Sequence, residues 1–165
     1  MANGANYALR AACECGRCVI EAEQIPTVRF NCHCTICQSF TGKAYSDVMI
    51  LPASRAVIKN EGFITYKKYK KFRFPPPNLN RGRCKTCGFP FVETWGVGPM
   101  KVLLFIRAVT WERQDLLPQT EAHLFYERRV ADMNDGLPRY EGYFPSQWAT
   151  AKMIMRALHS PKKRG

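Results

Sequence analysis

Hydrophobic positions along the chain come in short runs. Val19–Ala22, Ala44–Ile50, Ala56–Lys59, Phe63–Lys67, Phe91–Trp95 and Val102–Ala108 are rich in β-branched or aromatic residues. Turn formers separate them: Gly42, Pro52, Asn60–Gly62, Pro75–Asn78 and Gly96–Pro99. Short apolar runs closed off in this way predict a mainly β fold of short strands. Two segments break the pattern. His33–Thr41 predicts one short helix or turn, because Cys34 and Cys37 then share a face. Near the end, Trp148, Ala151, Ile154, Met155 and Leu158 recur at helical spacing, with Ser146 placed to cap the helix. That stripe is expected to pack against the sheet. The stretch Tyr66–Arg73 alternates aromatic and cationic residues and reads as a strand with its rings inward and its lysines in solvent, closed by Pro75–Pro77.

At 165 residues the chain suits one domain with its own core. We expect a single domain over 1–165 that ends in a basic, helical extension over 131–165. No run reaches the roughly 18 apolar residues of a membrane span, and the first residues lack the pattern of an export signal. The expected compartment is therefore the cytoplasm, where thiols stay reduced. Lys and Arg number 25 against 13 Asp and Glu, a net charge of +12. Two zinc ions on seven thiolates would bring this to about +9. The remaining excess suits anionic partners in general.

Eight cysteines in a reduced compartment need a reason, and their spacing supplies one. They fall as Cys13-Glu14-Cys15-Gly16 with Cys18 just beyond, Cys32-His33-Cys34-Thr35-Ile36-Cys37, and Cys84-Lys85-Thr86-Cys87-Gly88. Cysteines one or two residues apart seldom bridge each other, yet easily point sulfur at a common metal. The C-x-x-C-G turn at Cys84 and Cys87 is a zinc knuckle that provides two ligands, and Cys13 with Cys15 can complete a closed tetrahedral site. The triplet Cys32, Cys34 and Cys37 offers three ligands and an open fourth position, the pattern of catalytic zinc. Closure of that site by His33 or Cys18 would make both metals structural. His33 stands between two ligands on an extended segment, so its ring should point away from them. Cys18 reads as a buried apolar residue. An iron–sulfur cluster is a further option, but no known pattern has this spacing.

The three motifs in series resemble the glutathione-dependent formaldehyde-activating enzymes, whose domain is shared with centromere protein V. That family runs C-x-C-G, then C-H-C-x-x-C followed by T-G or S-G, then C-x-x-C-G. Here these are Cys13–Gly16, Cys32–Cys37 with Thr41 and Gly42, and Cys84–Gly88, and the resemblance covers about residues 7–130, which it implies are the core of a single zinc-binding domain. The resemblance also takes in His123-Leu124-Phe125 and Asp135-Gly136-Leu137-Pro138, although Val130, Ala131 and Asp132 stand where members carry a tryptophan. It implies an Mss4-like, or β-tent, fold of short antiparallel sheets. It implies a structural zinc on Cys13, Cys15, Cys84 and Cys87 and a catalytic zinc on Cys32, Cys34 and Cys37. The implied activity is that of a carbon–sulfur lyase, the condensation of glutathione with formaldehyde to S-hydroxymethylglutathione and its reversal.

The leading expectation is thus a zinc enzyme acting on a thiol–aldehyde adduct, with a small thiol such as glutathione and a small aldehyde as partners. Lys43, Arg17 and Arg81 are candidates for gripping glutathione carboxylates. The alternative is a non-catalytic module that binds nucleic acid or another anionic partner through Tyr66–Arg73 and Lys162-Lys163-Arg164.

Overall fold

The structure is a computed structural model that describes residues 8–69, 79–97 and 99–161. Strands β1 (Leu9–Ala12), β2 (Val19–Ala22) and β5 (Ala56–Lys59) form a small antiparallel sheet in the order β1-β2-β5. The larger sheet holds β3 (Val28–Cys32), β4 (Ser46–Pro52), β6 (Ile64–Lys68), β7 (Asn80–Cys84), β8 (Pro90–Val97), β9 (Met100–Arg107), β10 (His123–Leu124) and β11 (Arg139–Tyr140). Its order is β11-β10-β3-β4-β9-β8-β7-β6. Pairing is antiparallel except at one edge, where β10 runs parallel to both β3 and β11. The mainly β expectation holds. The strands it did not anticipate are β1, β3, β7, β10 and β11: β7 reads Asn-Arg-Gly-Arg-Cys without apolar alternation, β10 and β11 have two residues each, and β1 and β3 are short runs interrupted by Arg10 and by Arg29 and Asn31.

The large sheet is buried on both faces, which explains why its central strands read as unbroken apolar runs. Met49 and Leu51 of β4 and Leu104 and Ile106 of β9 join Leu9, Ala11, Ile20 and Ala22 of the small sheet in one apolar cluster. Their neighbours Val48, Ile50, Leu103 and Phe105 point the other way. They join Phe30, Leu124 and the helix residues Ala149, Met153 and Ala157 in a second cluster. The result is three layers: small sheet, large sheet and one long helix.

That helix, α2 (Tyr143–His159), forms where the sequence places it but is rotated from the expected orientation. Its buried residues are Ser146, Ala149, Met153 and Ala157. Trp148, Met155 and Leu158 are 67%, 54% and 41% exposed, so most of the anticipated stripe faces solvent. Small residues on the inner face let the helix lie close to the sheet, which periodicity cannot anticipate when the outer face is the more apolar. Ser146 is not the cap; Gly142 is. The Ser146 hydroxyl instead accepts from the Phe125 N–H at 2.8 Å and donates to the Tyr140 carbonyl at 3.1 Å. In β6, Ile64 is buried and Tyr66 donates its hydroxyl to Glu61 at 2.8 Å, while Lys67 and Lys68 are exposed. Residues 70–73, the turn at 75–78 and the cations at 162–164 lie outside the described residues.

Candidate metal centre

All eight cysteines are free thiols, and seven of them converge in two groups. In each group, Cys13/Cys15/Cys84/Cys87 and Cys32/Cys34/Cys37, the sulfurs lie within 4.8 Å of one another. Each could hold a metal ion. The two groups sit on opposite faces of the large sheet, since Cys13 and Cys84 belong to the first apolar cluster and Cys32 and Cys37 to the second.

The first group joins the end of β1 to the end of β7. Gly16 and Gly88 both adopt a φ of 71°, and their N–H groups donate to the Cys13 and Cys84 carbonyls at 2.8 Å. Each C-x-C-G or C-x-x-C-G segment thereby reverses within one turn, a left-handed conformation that glycine adopts at little cost. Cys15 Sγ stands 3.6 Å from Cys13 Sγ and 3.7 Å from Cys84 Sγ. Four sulfurs at the zinc–thiolate distance of about 2.3 Å from a tetrahedral centre would stand about 3.8 Å apart, so the donor set fits that metal. Main-chain donors are already aimed at the sulfurs. The Cys18 N–H reaches Cys13 Sγ at 3.2 Å. Against desolvation, which raises it, hydrogen bonds from the Cys87 and Thr86 backbone hold the Cys84 thiol down at about 6. Cys18 itself is fully buried in the first cluster, as expected of an apolar residue, and burial pushes its thiol up.

The second group is built at the junction of β3 and the short helix α1 (Thr35–Thr41). Cys32 ends the strand, Cys34 is the N-cap, and Cys37 lies one turn on. The Cys37 N–H donates to Cys34 Sγ at 3.3 Å, so sulfur takes the capping role usually filled by oxygen. Hydrogen bonding from Cys32 and then Cys37 pulls Cys34 down to about 3, while the other two thiols are pushed well up. The three sulfurs are thus close enough to set one another's protonation. A divalent cation would displace the remaining protons.

A cavity of about 300 Å³ opens beside this triplet, with all three cysteines in its wall. Phe30, Val48, Phe105 and Leu124 make its apolar side, and Tyr143, Gln147 and Thr150 of α2 close it from above. Arg81 and Glu93, register partners on β7 and β8, form an ion pair there at 2.8 Å, off the line of a good hydrogen bond. Both are buried. Burial pushes Glu93 up to about 7 against the pull of Arg81. Of the three proposed carboxylate grips, only Arg81 reaches the cavity, and its charge is already engaged. Arg17 lies over the Phe63 ring at 4.8 Å, and Lys43 lines a separate hollow with Tyr45 and Asp47. Glu93 and Arg128, also in the wall, were not singled out in the sequence. Glu93 left one signal: an acid inside the apolar run Phe91–Trp95 must find a buried cation.

His33 does turn away from the thiols, and what it meets was not anticipated. It is 1% exposed, and its Nε2 lies 3.0 Å from His123 Nδ1. His123 Nε2 lies 2.8 Å from an Asp135 carboxylate oxygen. A carboxylate only accepts, so His123 Nε2–H donates to Asp135 and His123 Nδ1 accepts from His33 Nε2–H. The chain His33–His123–Asp135 thus runs from the metal-ligand segment to the surface. Burial, followed by the neighbouring His123 and Arg129, lowers His33 to about 4.

The model of the family described as glutathione-dependent formaldehyde-activating enzyme matches residues 8–128. The chain belongs to this family. The glutathione-dependent formaldehyde-activating match takes in both cysteine groups and stops before α2. A search of curated proteins found no match. One solved structure, a protein from Rhodobacter sphaeroides, is 15% identical with a TM-score of 0.49, the alignment covering 79% of this chain and 98% of that one. No helix among the described residues is long and apolar enough to cross a membrane.

Proposed function

We propose that this protein is a zinc enzyme of thiol–aldehyde chemistry, making or breaking the carbon–sulfur bond of an adduct between an aldehyde and glutathione or another small thiol. Cys13, Cys15, Cys84 and Cys87 hold a structural zinc. Cys32, Cys34 and Cys37 hold the catalytic one. The observation that carries this reading is that the three-thiol group lines a cavity of substrate size, in a chain whose family is named for glutathione and formaldehyde. A zinc ion on three thiolates keeps an open position that lowers the pKa of a bound thiol or polarises a carbonyl oxygen.

The protein's own groups prepare that position. The Arg81 guanidinium, held in place by Glu93, lies close enough to Cys37 and Cys34 to offset their charge. The apolar wall of Phe30, Val48, Phe105 and Leu124 excludes water and strengthens every charge interaction inside. The Asp135–His123–His33 chain fixes the residue between Cys32 and Cys34, and with it the spacing of those two sulfurs. Confinement of both reactants supplies the rate.

The deciding experiment is a metal count paired with a glutathione titration followed by calorimetry. We expect two zinc per chain and one thiol bound per chain. Cys37→Ser should reduce both, to one zinc and no bound thiol. A single zinc that survives Cys32→Ser unchanged would remove the open-site reading.

A further inference from the structure

We infer that the aldehyde-derived part of the substrate is an extended apolar group, a longer alkyl or an aryl chain, accommodated in a cleft along the flank of α2. This rests on the thiol–aldehyde reading above and goes beyond it by naming the substrate class.

The first observation is volume. The cavity beside the three thiols measures about 300 Å³. A hydroxymethyl group displaces only one or two waters, about 30–60 Å³. The second is composition. The guanidiniums in the wall already have carboxylate neighbours, Arg81 with Glu93 at 2.8 Å and Arg128 with Glu127 at 3.4 Å. Arg128 is exposed, so the charged arms of a glutathione belong at the mouth, and the interior is left to apolar contact. The third is continuity. A second hollow of about 350 Å³ shares Phe105, Gln147 and Thr150 with the first and continues past Trp95, Leu103 and Ile154. The two together form a largely apolar path from the thiols along the flank of α2. With the charged arms of the thiol at the mouth beside exposed Arg128, a one-carbon aldehyde leaves that path unused.

The reaction needs no further reagent. The thiol sulfur bonds to the aldehyde carbon, the carbonyl π bond opens, and the thiol proton ends on the new hydroxyl. The reverse step returns thiol and aldehyde, and no atom changes its oxidation balance overall.

The test uses the zinc-loaded full chain and unreactive thioethers, S-alkylglutathiones from methyl to octyl, with affinity measured by calorimetry. We expect affinity to rise about three- to fourfold per methylene until the path is filled. Glutathione with octanal should be turned over with a higher kcat/KM than glutathione with formaldehyde. Thr150→Trp, which narrows the shared segment, should flatten the series at a shorter chain. Thr150→Ala should extend it, and melting temperatures of both variants report that the fold is kept. Affinity that ignores chain length, or a higher kcat/KM for formaldehyde, overturns the inference and leaves the thiol–aldehyde reading standing. Failure of every thioether to bind together with no turnover of either aldehyde overturns both.

Discussion

Position decides what each cysteine does. Cys13 and Cys84 are buried and tie the small sheet to the large one, so metal bound there contributes directly to folding, on the order of 10 kcal/mol. Cys84→Ser should therefore abolish cooperative unfolding or lower the melting temperature by tens of degrees. Cys37→Ser should remove one metal while leaving a folded protein, as followed by circular dichroism and metal analysis. Equal damage from both substitutions would contradict the division of labour. The histidine chain makes a second prediction at this scale. Asp135 forces the Nε2–H tautomer on His123, and through it on His33. Nitrogen-15 NMR should show both rings protonated at Nε2. Asp135→Asn, whose amide can donate instead, should reverse the tautomer of His123 and weaken metal retention at the triplet several-fold. An unchanged tautomer would mean that Asp135 does not set it.

Elements were legible to differing degrees. Val19–Ala22 and Ala56–Lys59 occur with the boundaries the sequence indicates, because each is a short run centred on β-branched residues, a local signal for a strand. β7 was not legible, since its neighbours rather than its own residues demand its presence. At Gly82 an added Cβ would meet Ile64 Cγ2 at 2.6 Å and Tyr66 Cε1 at 2.9 Å. Gly82→Ala should cost about 1–3 kcal/mol in urea unfolding. For α2 the sequence gets the helix right and its orientation wrong. Met153→Ala should cost about 2–3 kcal/mol, whereas Trp148→Gln should change stability by less than about 0.5 kcal/mol. The reverse ranking would restore the orientation read from periodicity. Phe125 makes a related point. Its φ of 54° is unusual for a bulky residue, and the Ser146 hydroxyl that accepts its N–H stabilises that bend beside the cavity.

Across the whole molecule, the large sheet separates two thiol groups with different neighbours. One joins the two sheets through buried Cys13 and Cys84, with Cys15 and Cys87 exposed, while the other faces a cavity beside a helix. A chelator titration should accordingly release metal in two stages. The first equivalent should leave with the fold intact, and loss of the second should coincide with unfolding. Release of both in one unfolding step would show that the sites are not independent. The sequence by itself determined which cysteines group together and the class of fold. Ligand spacing within a turn is a local property, and strand alternation is nearly so, and both survive in a linear reading. Only the tertiary structure decided which face α2 presents, that Arg81 is bound to Glu93, and that His33 meets His123 and Asp135. Those contacts join residues 12 to 90 positions apart, or turn on which of two apolar helix faces fits the closer approach, and neither is written in any local pattern.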